Sequence, residues 1–338
     1  MSDTRTSSYF AAELAAWGPD ARHATPTAVE AADYCRRLAT SHYENFPVGS
    51  LLIPRAIRRD FYNVYAFCRW ADDLGDEVEG AAESLRLLEW WEDELRACDR
   101  LSCGEPDASV RHPVFVALAE TMDGRNLPLR PFLDLISAFR QDQTVTRYET
   151  FADLRDYCRR SADPVGRIVL RLVGRFDGDE YDDEAYVSHH GPDPERGPGI
   201  NVARSDAVCT GLQLINFWQD VARDADIERC YLPREDRERF GYSDADLAAR
   251  VENEAFIELM RFEVARAREW LLRGLPLGRD LPGRIGVEIG VIARGGLAIC
   301  DAVERSGFRV WSRRPTLPKW KLPSLIAAEM CSRLIRTR

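Results

Sequence analysis

Apolar side chains recur at every third and fourth position through almost every long segment of this 338-residue chain. That spacing suits one regular structure, the amphipathic α-helix. AVEAADYCRRLATSHYENF, RRDFYNVYAFCRWADDLGDEV, AAESLRLLEWWEDELRACDR and EAFIELMRFEVARAREWLLRGL each set an apolar stripe against charged residues. Alternating strand patterns and Asn-Gly hairpin signals are essentially missing. Three breaker-rich stretches, SCGEPDASVRHP, DGRNLPLRP and GPDPERGPGINVARSD, cut the chain into helix-length pieces. The last of them, residues 191–206, reads as an exposed loop. None resembles an interdomain linker, so the expectation is a single all-α domain over residues 28–338. Residues 1–27 are expected to be a poorly ordered N-terminal segment.

Composition removes several function classes. A net charge of −10 argues against a general nucleic-acid binder, which would show a basic face. Nine cysteines, an odd number without CxxC pairs, suit reduced thiols in a cytoplasmic protein better than a disulfide framework. The five histidines are too scattered for a zinc site. The N-terminus lacks the basic and apolar regions of a secretory signal. No stretch approaches the ~20 apolar residues that span a bilayer. Charge is uneven, however: after Arg305 the chain is rich in Arg and Lys, with Glu329 its one acid and Trp311, Trp320 and Leu322 interleaved. That segment reads either as a solvated basic helix end or as a peripheral contact with an anionic membrane face.

Two polar ladders stand out against the helical background. In GLQLINFWQDVARD, Asn216, Asp220 and Asp224 follow at steps of four, on one face of a helix that is otherwise built for burial. In YNVYAFCRWADDLGDE, Asp72 and Asp76 repeat the pattern, with Asp73 and Glu77 beside them. Each run alone is commonly a solvated helix end. Both follow several turns of helix, though, where the macrodipole favours cations. Like charges ~6 Å apart repel by about 2–3 kcal/mol at an effective dielectric of 20. The repetition therefore suggests a bound cation, and Mg²⁺ fits hard oxygen donors that share it with phosphate. Asn216 would add an amide oxygen, and Arg69 lies within a turn of the first ladder to meet outer phosphate oxygens. Neutralised diphosphate leaves readily. The carbocation left behind would need a dry aromatic pocket, for which Tyr65, Phe67, Tyr157, Phe217 and Trp218 are candidates. Two ladders, an apolar cavity and no cofactor motif point to isoprenoid diphosphate chemistry.

At these residues the sequence resembles the squalene/phytoene synthase family of head-to-head isoprenoid synthases, over roughly residues 30–325. YAFCRWADDLGD (65–76) and LQLINFWQDVARD (212–224) match its two acidic motifs, RCYLP (229–233) its Arg-x-Tyr-Leu-Pro segment, and YCRRSADPVG (157–166) a third. The resemblance implies an isoprenoid synthase helical bundle around a central apolar cavity. It implies two or three Mg²⁺ ions held by Asp72, Asp76, Asn216, Asp220 and Asp224. Tyr157, Ala162 and Val165 would line the lipid pocket, with Tyr157 and Gln213 close to the reacting centre. Tyr65, Arg69, Tyr231 and Arg313 would contact substrate or diphosphate.

Departures narrow the resemblance. The family's His-x-x-Ser-Phe motif, which carries a diphosphate-binding Lys-Ser pair, stands here as HYENF (42–46), so that Glu44 and Asn45 replace the pair beside His42. Gln219 stands where Arg commonly precedes the Asp of the second motif. Both changes remove positive charge and resemble the bacterial hydroxysqualene synthases. Such enzymes convert presqualene diphosphate to hydroxysqualene with water and without NADPH, and leave reduction to a separate hydroxysqualene reductase. Glu44 is then a candidate for orienting the quenching water. Other readings stay open: a presqualene diphosphate, squalene or phytoene synthase, or a non-catalytic helical assembly factor on the same fold. The retained acids weigh against the last.

Overall fold

The computed structural model describes residues 3–41, 53–105, 108–178 and 199–334. Helix predominates among the described residues. The one β feature among the described residues is a parallel bridge between Arg147 and Cys230. The fold is all-α, as the periodicity predicts. The chain forms two compact units, Met1–Val145 with Arg171–Val173, and Thr146–Leu170 with Gly174–Arg338. Each unit has a buried core of its own, which a continuous helical periodicity does not reveal.

The first unit contains α1 (Asp3–Trp17), α2 (Ala28–Ser41), α3 (Arg58–Asp76), α4 (Ala81–Ser102), α5 (Pro113–Arg125) and α6 (Arg130–Gln141). Its centre is aromatic. Trp70 stacks on Trp91 at 5.4 Å, and Phe67 packs edge-on to Phe132 at 5.1 Å. Phe67 is therefore a core residue with no accessible surface, not the wall of a cation pocket. The expectation of a poorly ordered segment over 1–27 does not hold for α1. Phe10 is buried against Trp70, and Glu13 accepts a 2.6 Å hydrogen bond from the Tyr34 hydroxyl, which in turn accepts from Trp70 Nε1. Tertiary docking holds this helix, and its own sequence carries little helical patterning.

The second unit is built from α7 (Phe151–Ser161), most of α8 (Asp163–Leu172), α9 (Ile200–Asp226), α10 (Arg234–Arg239), α11 (Asp244–Ala248), α12 (Glu254–Gly274), α13 (Leu277–Asp280), α14 (Gly283–Arg305) and α15 (Leu322–Leu334). The long α9 packs against α12, α14 and α7. Two glycines set how closely α9 and α12 approach. A Cβ at Gly211 would lie 2.9 Å from the Leu271 backbone nitrogen, and one at Gly274 2.6 Å from the Arg204 carbonyl oxygen. The loop expected over 191–206 is corrected in its second half. Residues 200–206 already belong to α9, whose buried Ser205 and Asp206 find partners that a loop reading cannot anticipate. Residues 191–198 lie outside the described residues.

Candidate active site

In the first unit, α3 carries Tyr65, Arg69, Asp72 and Asp76 along successive turns. Asp73, adjacent in sequence, turns inward. Arg69 clamps it, with Nε 3.0 Å from Oδ2 and Nη2 2.6 Å from Oδ1. Arg69 reaches Asp72 only at 3.9 Å. Asp72 therefore keeps a charge that the protein compensates poorly. Surrounding protein and the neighbouring Asp76 push its carboxyl up to about 7, although 47% of the side chain stays accessible. Asp76 is exposed, and Tyr65 is half-buried with its hydroxyl pushed up by burial. Gln143 donates to the Gly75 carbonyl at 3.0 Å and so satisfies an end group of the same helix.

In the second unit, α9 carries Gln213, half-buried, then Asn216, exposed, then Asp220, buried, and Asp224, half-buried. Asp220 is engaged by a residue that the sequence reading passed over. The Arg314 guanidinium meets both its oxygens, Nε to Oδ1 at 2.5 Å and Nη2 to Oδ2 at 2.9 Å. The adjacent Gln219 is buried and donates to the Pro315 carbonyl, so two successive α9 side chains hold the 314–315 segment. Arg313, the expected diphosphate ligand, is exposed beside it. Nothing local singles out Arg314 from Arg313, because its partner lies far away in sequence. Asp224 has less compensation: burial and the charge of Asp220 push it up to about 7, against the pull of Arg229, Arg223 and Arg314.

An aromatic wall adjoins this ladder. Beyond α9 the chain reverses through Glu228, in the left-handed region at φ 61°. Cys230 N then donates to Thr146 O at 2.8 Å, and Arg234 N to Tyr148 O at 2.9 Å. This pairing brings Tyr148 and Tyr231 together, and Tyr231 stacks on Phe217 at 3.8 Å with planes 9° apart. Tyr157, buried on α7, lies 6.1 Å from Tyr231 and 6.2 Å from Phe217. Phe217, Tyr231 and Leu232 line a cavity of about 420 Å³ together with Asp224, Arg147 and Arg229. One cavity is thus lined by both aromatic and charged side chains.

The YCRRSADPVG motif places Ala162, buried, at the end of α7 and Val165, half-buried, on α8. Asp163, between them, is a second residue that the sequence reading missed. It has no exposed side-chain surface, and it meets Arg155 at 3.0 Å and the Thr210 hydroxyl at 2.8 Å. Arg167 holds Asp206 through two hydrogen bonds, at 3.1 and 2.9 Å. These pairs fasten α7 and α8 to α9 and so fix the position of Tyr157. Their signal is hidden because Asp before Pro ordinarily marks a turn. His42, Glu44 and Asn45 lie outside the described residues.

The donor chemistry fits Mg²⁺. Each ladder offers hard carboxylate oxygens, and nearby cations compensate the charge of Asp72 and Asp224 only in part. Among the described residues no group of three or more His, Cys, Asp or Glu side chains is gathered to cage a metal. Two carboxylates per ladder suit an ion that completes its shell with phosphate and water.

The squalene/phytoene synthase family model matches residues 39–321. The chain belongs to that family. Among family members, 15-cis-phytoene synthase of Synechocystis sp. is 32% identical over 86% of this chain and 81% of its own length. Hydroxysqualene synthase of Sinorhizobium fredii is 35% identical over 68% of each. The crystal structure of squalene synthase HpnC from Alicyclobacillus acidocaldarius superposes with a TM-score of 0.70, at 42% identity, over 83% of this chain and 95% of that one. Both acidic ladders and the aromatic wall lie within the matched range.

Proposed function

We propose that this family member is a hydroxysqualene synthase. The observation that carries the reading is the cavity of the second unit, which the Asp224 carboxylate and two arginines line together with the Phe217–Tyr231 stack. A lipid diphosphate has those two ends. Asp72, Asp76, Asp220 and Asp224 are the residues that would hold Mg²⁺, with Asn216 as a neutral donor. Bound there, the metal would neutralise the diphosphate and make it a competent leaving group. The C–O bond of presqualene diphosphate then breaks, and its electron pair leaves with diphosphate. The ring faces of Phe217, Tyr231 and Tyr157 would face the resulting cation. After rearrangement a water oxygen bonds to carbon and gives up a proton, yielding hydroxysqualene. Glu44, Tyr157 and Gln213 are the candidates for orienting that water. A separate reductase would take the product onward.

The likenesses to a hydroxysqualene synthase and to squalene synthase HpnC support this reading. A second reading, condensation of two prenyl diphosphates to phytoene, is favoured by the longer match to the Synechocystis phytoene synthase. Purified protein with Mg²⁺ should be given presqualene, farnesyl or geranylgeranyl diphosphate in turn. Hydroxysqualene from presqualene diphosphate is the expected product. Phytoene from geranylgeranyl diphosphate would establish the second reading instead.

A further inference from the structure

The C-terminal helix α15 is turned inside out. Its one acid, Glu329, has no exposed surface, while Leu322 and Met330 are about half exposed and Ala327, Ala328 and Cys331 face outward. Just before the helix, Trp320 is 74% exposed. A large indole and a methionine in water need a reason.

The inward face is fixed by polar bonds. Glu329 Oε2 accepts from Arg294 Nε on α14 at 2.9 Å. The carboxylate sits in a slot that exists because residue 290 is glycine, since a Cβ there would lie 2.2 Å from Glu329 Cδ. One turn on, Arg333 donates to the carbonyls of Gly278 and Leu281. These contacts set which side of α15 meets solvent, and they take the only negative side chain of the segment out of the surface. Among residues 322–331 no exposed side chain is charged.

The segment that carries this neutral apolar face has a surplus of cations. From Ser306 to Arg338 the sequence has eight Arg or Lys residues and one acid, in a chain whose net charge is −10. Lys321 lies 5.9 Å from the Trp320 ring, and Arg313 is exposed on the approach to the helix. No described helix is long and apolar enough to cross a membrane. The surface has the two elements of interfacial lipid binding: an amphipathic aromatic with aliphatic neighbours, and a surplus of cations.

We infer that residues 320–333 form a docking surface for an anionic lipid bilayer, with Trp320, Leu322 and Met330 entering the headgroup region and Lys321 meeting lipid phosphates. Each cation close to an anionic leaflet raises partitioning about fivefold. Charge complementarity favours this occupant: a second copy of an acidic chain carrying the same basic segment would set cation against cation. The inference is independent of the reaction catalysed, because lipid contact is read without turnover.

The test is flotation of the full-length protein with phosphatidylcholine vesicles, with and without phosphatidylglycerol, at low and high salt. Wild-type protein should float with the anionic vesicles and release them at high salt. Trp320→Ser with Met330→Ser should lower partitioning about tenfold, with circular dichroism and melting temperature unchanged because both side chains are already exposed. Lys321→Glu should lower the preference for phosphatidylglycerol at least fivefold, and is an independent variant. Equal flotation of the wild type and both variants, or none by the wild type, would overturn the inference. So would concentration-dependent dimerisation abolished by the Trp320/Met330 pair, which would assign the face to a second copy.

Discussion

Individual carboxylates in this chain differ sharply in how they are compensated, and the difference yields separable expectations. Asp73 is clamped by Arg69 and Asp220 by Arg314, whereas Asp72 has only a cation at 3.9 Å that is already committed elsewhere. Asp72→Ala should therefore reduce turnover about a hundredfold or more while leaving the melting temperature unchanged or slightly higher, since repulsion with Asp76 is relieved. Asp220→Ala should be equally inactive but less stable by about 1 kcal/mol, because it strands Arg314. That figure is modest because a third of the Arg314 side chain already meets solvent. Steady-state kinetics with thermal melts separates the two, and full activity in either variant would remove the metal-ladder reading. Glu44→Gln should leave ionisation of presqualene diphosphate intact and shift product from alcohol towards hydrocarbon; an unchanged product ratio would pass the water to Tyr157 or Gln213. The carboxylates were legible in sequence because a step of four residues is visible in one dimension. Arg314 and Asp163 were not, because each acquires meaning only from a partner brought close by folding.

At the scale of elements, legibility follows the strength of the local pattern. The helices α3, α4, α9 and α12 carry apolar stripes and could be read directly, whereas α1 is held by what Phe10 and Glu13 touch. The start of α5 shows what one residue contributes to an element. His112 Nδ1 accepts from Val114 N at 3.2 Å and caps the helix, and its ring packs edge-on to Trp70 at 4.5 Å and Trp91 at 4.9 Å. Nε2 then carries the proton and meets no hydrogen-bond acceptor, only rings. Burial first, and His23 second, hold this imidazole well below its ordinary range. The unfolded chain therefore binds a proton at His112 below about pH 6.5 that the folded chain refuses, so its contribution to stability is present above that pH and is lost as pH falls through it. Melting temperature should drop on acidification from neutral pH, and His112→Asn, which retains a capping oxygen, should be less stable at neutral pH yet flatter across that range. A parallel decline in both proteins would place the acid sensitivity elsewhere.

For the molecule as a whole, the proposed reaction needs an electrophile made inside the protein and a nucleophile taken from solvent. One cavity of the second unit is lined by charged side chains that would meet the leaving group and by aromatic side chains that would meet the cation. The proposed reading assigns the final bond to water and not to hydride. Its test follows atoms from solvent to product. In ¹⁸O-labelled water with Mg²⁺ and presqualene diphosphate, and without NADPH, the alcohol should carry the label in every turnover, because the diphosphate oxygen leaves with the leaving group. An unlabelled alcohol would mean that the original C–O bond survives and that ionisation is not the route. Squalene formed only when NADPH is added would replace water by hydride as the terminating nucleophile and move the chain to squalene synthase activity. Asp72→Ala should abolish the labelled alcohol, since without ionisation there is no cation for water to meet.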